Sequence, residues 1–291
     1  MGEIYALSCA LVWAFAVILL RRSGVSVSPF QLNLFRVVFS APLIAGTMLV
    51  VGIPFLHGAP ARDYLILIVS GVIGIALSDT LFHKSLNLVG AGITAIIDTA
   101  YAPTTVLLAY LFLAEQVRTC DLLGMGLIIS AVLLSSTLQP PEGRSARDLV
   151  MGIGLGIMGI ALLALSIIIA KPVLNRSPVM WAVAVRQFGS LIVLVGIAAF
   201  SPGRGRIFAV LRPSHAWRAM VPATVLGSYI ALILWVAGMK YTLASIAAIL
   251  NQSSTVFILI LSVVLLRERM TLRKAISGLL AFAGVLLVAL R

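Results

Sequence analysis

Apolar runs long enough to cross a bilayer alternate with short polar breaks along the whole chain. They fall at about 3–20, 30–52, 65–85, 90–113, 120–138, 149–170, 179–200, 217–239, 243–266 and 274–290. A helix rises about 1.5 Å per residue, so roughly 20 such residues span the hydrocarbon core. The pattern predicts ten transmembrane helices, since a membrane barrel needs alternating strands of about ten residues instead. Arg21-Arg22, Arg62-Asp63, the run from Pro140 through Pro141, Glu142 and Gly143 to Arg144, and Ser201-Pro202-Gly203-Arg204 mark breaks. The connections are too short to fold as domains; only 53–63, 139–148 and 201–216 have room for a modest loop or surface helix. The first run is read as a retained span, because Glu3 replaces the basic n-region of a signal peptide and no cleavage site follows Leu20.

Composition excludes the soluble alternatives. With 61% hydrophobic and 10% charged residues and a mean hydropathy of +1.15, a water-soluble enzyme and a disordered chain are both ruled out. Against 9 acidic residues stand 21 Lys and Arg, a formal charge of +12. In a soluble protein that excess points to nucleic acid; here the bases sit mostly between apolar runs, where they set topology and meet anionic headgroups. No nucleic-acid partner is expected; the bilayer is one.

The most polar stretch, 139–148, divides the spans into two sets of five that resemble each other. A shift of 153 residues lays Ala91–Leu134 on Ala244–Leu287 without a gap, with 11 of 44 positions identical. Most matches are Ala, Ile or Leu, as apolar composition favours, but Glu115 falls on Glu268, each closing a span. Ser28-Pro29 with Arg36 likewise echoes Ser177-Pro178 with Arg186, one residue out of step. Because five is odd, consecutive copies enter the membrane in opposite directions and form an inverted repeat. Such folds place the substrate near mid-membrane between the repeats and work by alternating access. The architecture therefore points to a transporter.

Each half closes on a related signature: Glu115-Gln-Val and then Gly124, or Arg267-Glu268-Arg269 and then Ser277-Gly278 and Gly284. With Arg36 and Arg186 in the second span of each half and Pro103 in the fourth, the chain resembles the EamA-type members of the drug/metabolite transporter superfamily over nearly its whole length. It departs at Ser277, where the first half has Gly124, at Val256, where it has Pro103, and in the polar Ser78-Asp79-Thr80 of span three. The resemblance implies two EamA-like five-helix repeats, 1–140 and 146–291. It also implies secondary transport, often export, of amino acids or related small metabolites from a central cavity, with both termini inside. On that last point the residues disagree. Alternating connections collect six basic residues on the side of the termini and thirteen on the other, and the positive-inside rule puts the richer side in the cytoplasm.

Ionisable groups at bilayer depth are functional candidates by default. Asp98 lies about eight residues, roughly 12 Å, into span four. The shift of 153 places Asn251 opposite it, flanked by Thr99 and Gln252, with Tyr101 a turn on. These residues form a candidate polar waist in which Asp98 takes a substrate amine or a proton; packing between helices is the other reading. Arg36 is a candidate to neutralise Asp98 or to hold a substrate carboxylate, and Arg186 is its counterpart; snorkelling explains either equally. Asp79 and His83, one turn apart, are candidates for proton coupling or for an interfacial ion pair. Trp13 and Trp235 lie mid-span and suit either a cavity wall or lipid contact, whereas Trp181 and Trp217, at span ends, read as interfacial belt residues.

Other motifs carry no chemistry. Gly154, Gly156 and Gly159 spell GxGxxG inside an apolar span with no strand before it, so Gly152 and Gly156 read as a small-residue packing face. Cys9 and Cys120, like His57 and His215, lack metal or disulfide spacing, and no cofactor is expected. The sequence reading is thus a non-enzymatic secondary transporter of small polar or zwitterionic metabolites. It is expected in the inner or plasma membrane, as a monomer or homodimer, and with proton coupling through Asp98. The alternatives are a multidrug or lipophilic-cation exporter and a membrane-embedded lipid enzyme.

Overall fold

A computed structural model describes residues 1–23, 27–56, 58–135, 145–266 and 271–290. The Pro140–Arg144 break, His57, Arg291 and the Arg267-Glu268-Arg269 signature lie outside them. The described chain is helical almost throughout, without strands. Seven helical stretches cross a membrane by length and hydropathy alone, and shorter apolar helices at Thr119–Leu134, Ala244–Ile258 and Ala275–Ala289 supply three more. The architecture is an all-α membrane protein of two inverted five-helix repeats.

The first repeat contains α1 (Gly2–Ser23), α2 (Pro29–Val51), α3 (Ala61–Gly71) continuing into α4 (Asp79–Asp98), α5 (Tyr101–Leu113) and α6 (Thr119–Ser135). The second contains α7 (Ala146–Arg176), α8 (Val179–Phe200), the short α9 (Arg204–Phe208), α10 (Trp217–Thr224) with α11 (Ala231–Tyr241), α12 (Ala244–Asn251) with α13 (Ser254–Leu266), and α14 (Leu272–Ala289). Local chemistry sets several ends. Ser28 and Gln31 form a capping box before Pro29, and Gly52 closes α2 at φ 74°. Ser145 and Asp148 cap α7 in the same way. Spans three and four meet at Gly90, whose φ of 77° and ψ of 170° let the chain reverse.

Two irregularities recur at the repeat offset. A π segment, Val72–Ser78, joins α3 to α4, and another, Val225–Ile230, joins α10 to α11. Their first residues are 153 apart. Span four breaks at Thr99-Ala100 and span nine at Gln252-Ser253, again 153 apart, so Asp98 and Asn251 each end the first part of a broken span.

Polar groups are sorted inward and apolar ones outward, as a lipid solvent requires. Leu49, Val50, Leu111, Phe112, Ile192, Phe200 and Phe282 are exposed, while Asn33, Arg186, Gln187 and Ser190 are buried. Close helix contacts rest on glycine. A Cβ on Gly152 would stand 2.4 Å from Val89, and one on Gly156 would stand 2.6 Å from Ser85, so α7 packs on α4 by the face expected of it. Gly124 and Gly284 bring α6 and α14 together, each carbonyl within 2.8 Å of the other's ideal Cβ. Trp181 corrects the belt reading: it is fully buried, and its indole N–H donates to the Phe55 carbonyl at 2.9 Å. The connection after α2 folds over that end of α8. Trp217 packs edge-on to Phe35 and Phe39.

One face, carrying the connections after spans two, four, six and eight, is tied by charge. Asp63, buried, takes Nη2 and Nε of Arg176 at 2.5 and 3.2 Å. Lys171 donates to the carbonyls of Met239 and Thr242, and Lys240 to that of Ser177. Glu115, after α5, accepts the backbone N–H of Ala244 and Ser245 and the Ser245 hydroxyl at 2.8, 3.0 and 2.7 Å. The carboxylate of one half thereby caps α12 of the other.

Candidate functional site

Residues from eight of the ten spans enclose a cavity of about 220 Å³ between the repeats. Every residue named for the substrate (Trp13, Arg36, Asp98, Tyr101, Arg186, Asn251 and Gln252) lines it, and so does Asp79. His83 does not; it stands behind Arg36.

The two arginines are placed by the pseudo-symmetry. Each leaves the second span of its half and reaches the third span of the other: Arg36 Nε donates to Ser228 at 2.8 Å, and Arg186 Nη1 donates to Ser70. Each guanidinium also faces a tryptophan, Arg36 with Trp13 at 5.4 Å and Arg186 with Trp235 at 5.5 Å. Trp235 is thus a cavity wall. The arginines differ in their counter-ions. Arg36 Nη1 lies 3.5 Å from the Asp79 carboxylate and 3.3 Å from His83 Nε2. His83 Nδ1 faces the Asp79 carbonyl, so the neutral imidazole protonated at Nδ1 satisfies both bonds. Asp79 and His83 therefore do not pair side chain to side chain; both are joined to Arg36. The acid neutralising Arg36 is Asp79 and not Asp98, because the rotation of span three brings Asp79 to the face of span two.

Asp98 and Asn251 face the cavity from the two helix breaks. Gln252 Nε2 donates to the Asp98 carbonyl at 2.6 Å, which fastens one break to the other. Among the described residues the Asp98 carboxylate meets no hydrogen-bond donor and no cation. Both polar atoms of the Asn251 amide, and Nε and Nη2 of Arg186, are buried and make no hydrogen bond. Buried polar groups are normally satisfied, so these atoms mark where water or a solute belongs. The described residues contain no group of His, Cys, Asp and Glu suited to a metal.

Sequence reading missed Gly74 and Gly227, which line the cavity within the π segments, although they too stand 153 apart. A Cβ on Gly74 would lie 2.3 Å from Ser166 Oγ and 2.9 Å from its Cβ; one on Gly227 would lie 3.1 Å from Trp13. Gly74→Ala is expected to lower stability by about 1–3 kcal/mol, the usual cost of overpacking. Gly46→Ala, with nothing within 4 Å, is the control. Thermal melting in detergent compares them, and equal melting temperatures would show that span three yields without cost.

The family model of the EamA-like transporter family matches residues 1–137 and again 150–290. A solved protein titled only "Crystal structure of protein" superposes with a TM-score of 0.80 at 18% identity, covering 99% of this chain and 96% of that one. At that identity the likeness shows the fold alone. No curated protein matches.

Proposed function

Since the chain belongs to the EamA-like transporter family, we propose that it exports small polar or zwitterionic metabolites, amino acids among them. It is a multi-pass membrane protein of the drug/metabolite transporter type, with a small-molecule substrate. The finer reading is alternating access about the central cavity, in the inner or plasma membrane, driven by a proton gradient acting through Asp98.

One observation carries this reading: the cavity between the repeats offers unspent groups of both signs, a carboxylate at Asp98 and a guanidinium edge at Arg186. Burying either charge alone is costly, and a solute bearing the complementary charges relieves both. The volume supports a small molecule, since drug-sized ligands occupy pockets of about 300–1,000 Å³. That argues against a multidrug exporter, as do two arginines in the wall for a lipophilic cation. A lipid enzyme lacks support as well: Asp79, the other acid lining the cavity, is engaged with Arg36.

The test is release of a mixed amino-acid pool from proteoliposomes with and without an imposed pH gradient. Release that quickens with the gradient is the expected result and identifies the solutes. Release indifferent to pH removes proton coupling; no release of any amino acid removes the amino-acid reading.

A further inference from the structure

The two cavity arginines are not interchangeable. Arg36 is spent on Ser228, Asp79 and His83. Arg186 is more deeply buried, at 1% exposure, yet only its Nη1 is bonded, to Ser70. The two nitrogens left without a partner, Nε and Nη2, share one edge of the guanidinium plane. Their N–H bonds run parallel along that edge, forming the fork that accepts both oxygens of a carboxylate. An ionised guanidinium with two donors unmet in a low-dielectric interior is unfavourable until an anion arrives.

The surroundings leave the edge without a hydrogen-bond partner. The nearest acid, Asp79, directs its carboxylate to Arg36 at 3.5 Å. Trp235 lies against one face of the guanidinium, its ring centroid 5.5 Å from Cζ, so the donors left unmet are those in the guanidinium plane. Gly74 provides the space beside Nη2, where a Cβ would stand 3.3 Å away. Asp98 and Asn251, at the paired helix breaks, are left to meet the remainder of the solute.

We infer that the Nε/Nη2 edge of Arg186 is the carboxylate subsite of the transported molecule, which is accordingly a small monocarboxylate with a cationic or hydrogen-bonding group elsewhere. The assignment rests on the cavity being the transport site. It gives the carboxylate to the arginine of the second half, with Arg36 held as the internal partner of Asp79.

Equilibrium binding of the twenty common L-amino acids to the purified full-length protein tests it, each compared with its primary amide. The amide keeps the size and the amine and lacks the carboxylate. The expected result is a preference for the acid of about ten- to a hundred-fold. That preference is lost in Arg186→Gln, where the affinity of the acid falls to that of the amide. Arg186→Lys keeps a cation but not the fork, and is expected to lose most of the preference; it also serves where Arg186→Gln folds poorly. An arginine with a merely structural role would shift acid and amide affinities together and lower the melting temperature of the ligand-free protein. Equal affinity of acid and amide for the wild type, or a preference that survives Arg186→Gln, overturns the subsite. So does failure of every amino acid, and of lactate and benzoate, to bind. Flux in parallel proteoliposomes separates the two readings. Export of acid and amide alike keeps the transporter and removes the subsite, whereas selective binding without flux of any solute keeps the subsite and removes transport.

Discussion

Asp98→Asn is expected to cut the rate of solute release at least about thirty-fold while leaving the folded protein intact. The carboxylate faces the cavity from the end of α4, and the backbone carbonyl of the same residue, not its side chain, takes the bond from Gln252. The amide is nearly isosteric, so the tie between the helix breaks persists while the charge disappears. Removing one partner of a buried charge pair, here the one proposed between this carboxylate and the solute's amine, commonly costs about 2–5 kcal/mol, and 2 kcal/mol is about thirty-fold. Flux in proteoliposomes and melting temperature, measured on one preparation, separate the two effects. Normal flux in Asp98→Asn would show that the waist is packing. A protein that melts much earlier would show that the carboxylate is structural after all.

The second large effect lies away from the cavity. Glu115→Ala removes a buried carboxylate that accepts three hydrogen bonds at the start of α12. Two backbone donors and one hydroxyl then lack their acceptor at the mouth of a membrane-buried helix, a loss of about 2–5 kcal/mol. Glu115→Gln keeps one acceptor oxygen and should fall between Ala and wild type. Chemical or thermal unfolding in detergent ranks the three. An Ala variant as stable as wild type would mean that water replaces the carboxylate, and that Glu115 holds nothing together.

Span number, the duplication and the matching places of Asp98 and Asn251 at the two helix breaks were all legible in the sequence, because each depends on spacing along the chain. One offset, 153 residues, carried most of that. What spacing does not contain is rotation about each helix axis and tilt between helices. Depth alone offered Arg36 only Asp98 or a substrate carboxylate; the faces of spans two and three, once packed, select Asp79. The belt reading of Trp181 failed for a related reason, since a span end identifies depth but not whether a connection folds over it. Glu115 stood out as a repeat signature, yet its partners lie 129 and 130 residues away in the other half. The π segments share no proline that announces them, since Pro222 precedes only the second. Their sole trace was a glycine at the same place in each half, Gly74 and Gly227, among 24 glycines.

Those π segments also say something about ancestry. A π turn enters an α-helix when one residue is inserted and the ladder widens to absorb it. Two such turns in matching register, in halves whose sequences have otherwise drifted far apart, are most simply explained by one insertion older than the duplication. The ancestral five-helix protein then already carried the widened turn, and needed a second copy, inverted, to close a cavity against it. Such a protein had to be inserted both ways up, which its basic loops would permit only if nearly balanced between the two sides. Fusion of the copies ended that requirement, and an uneven distribution of basic residues became free to accumulate.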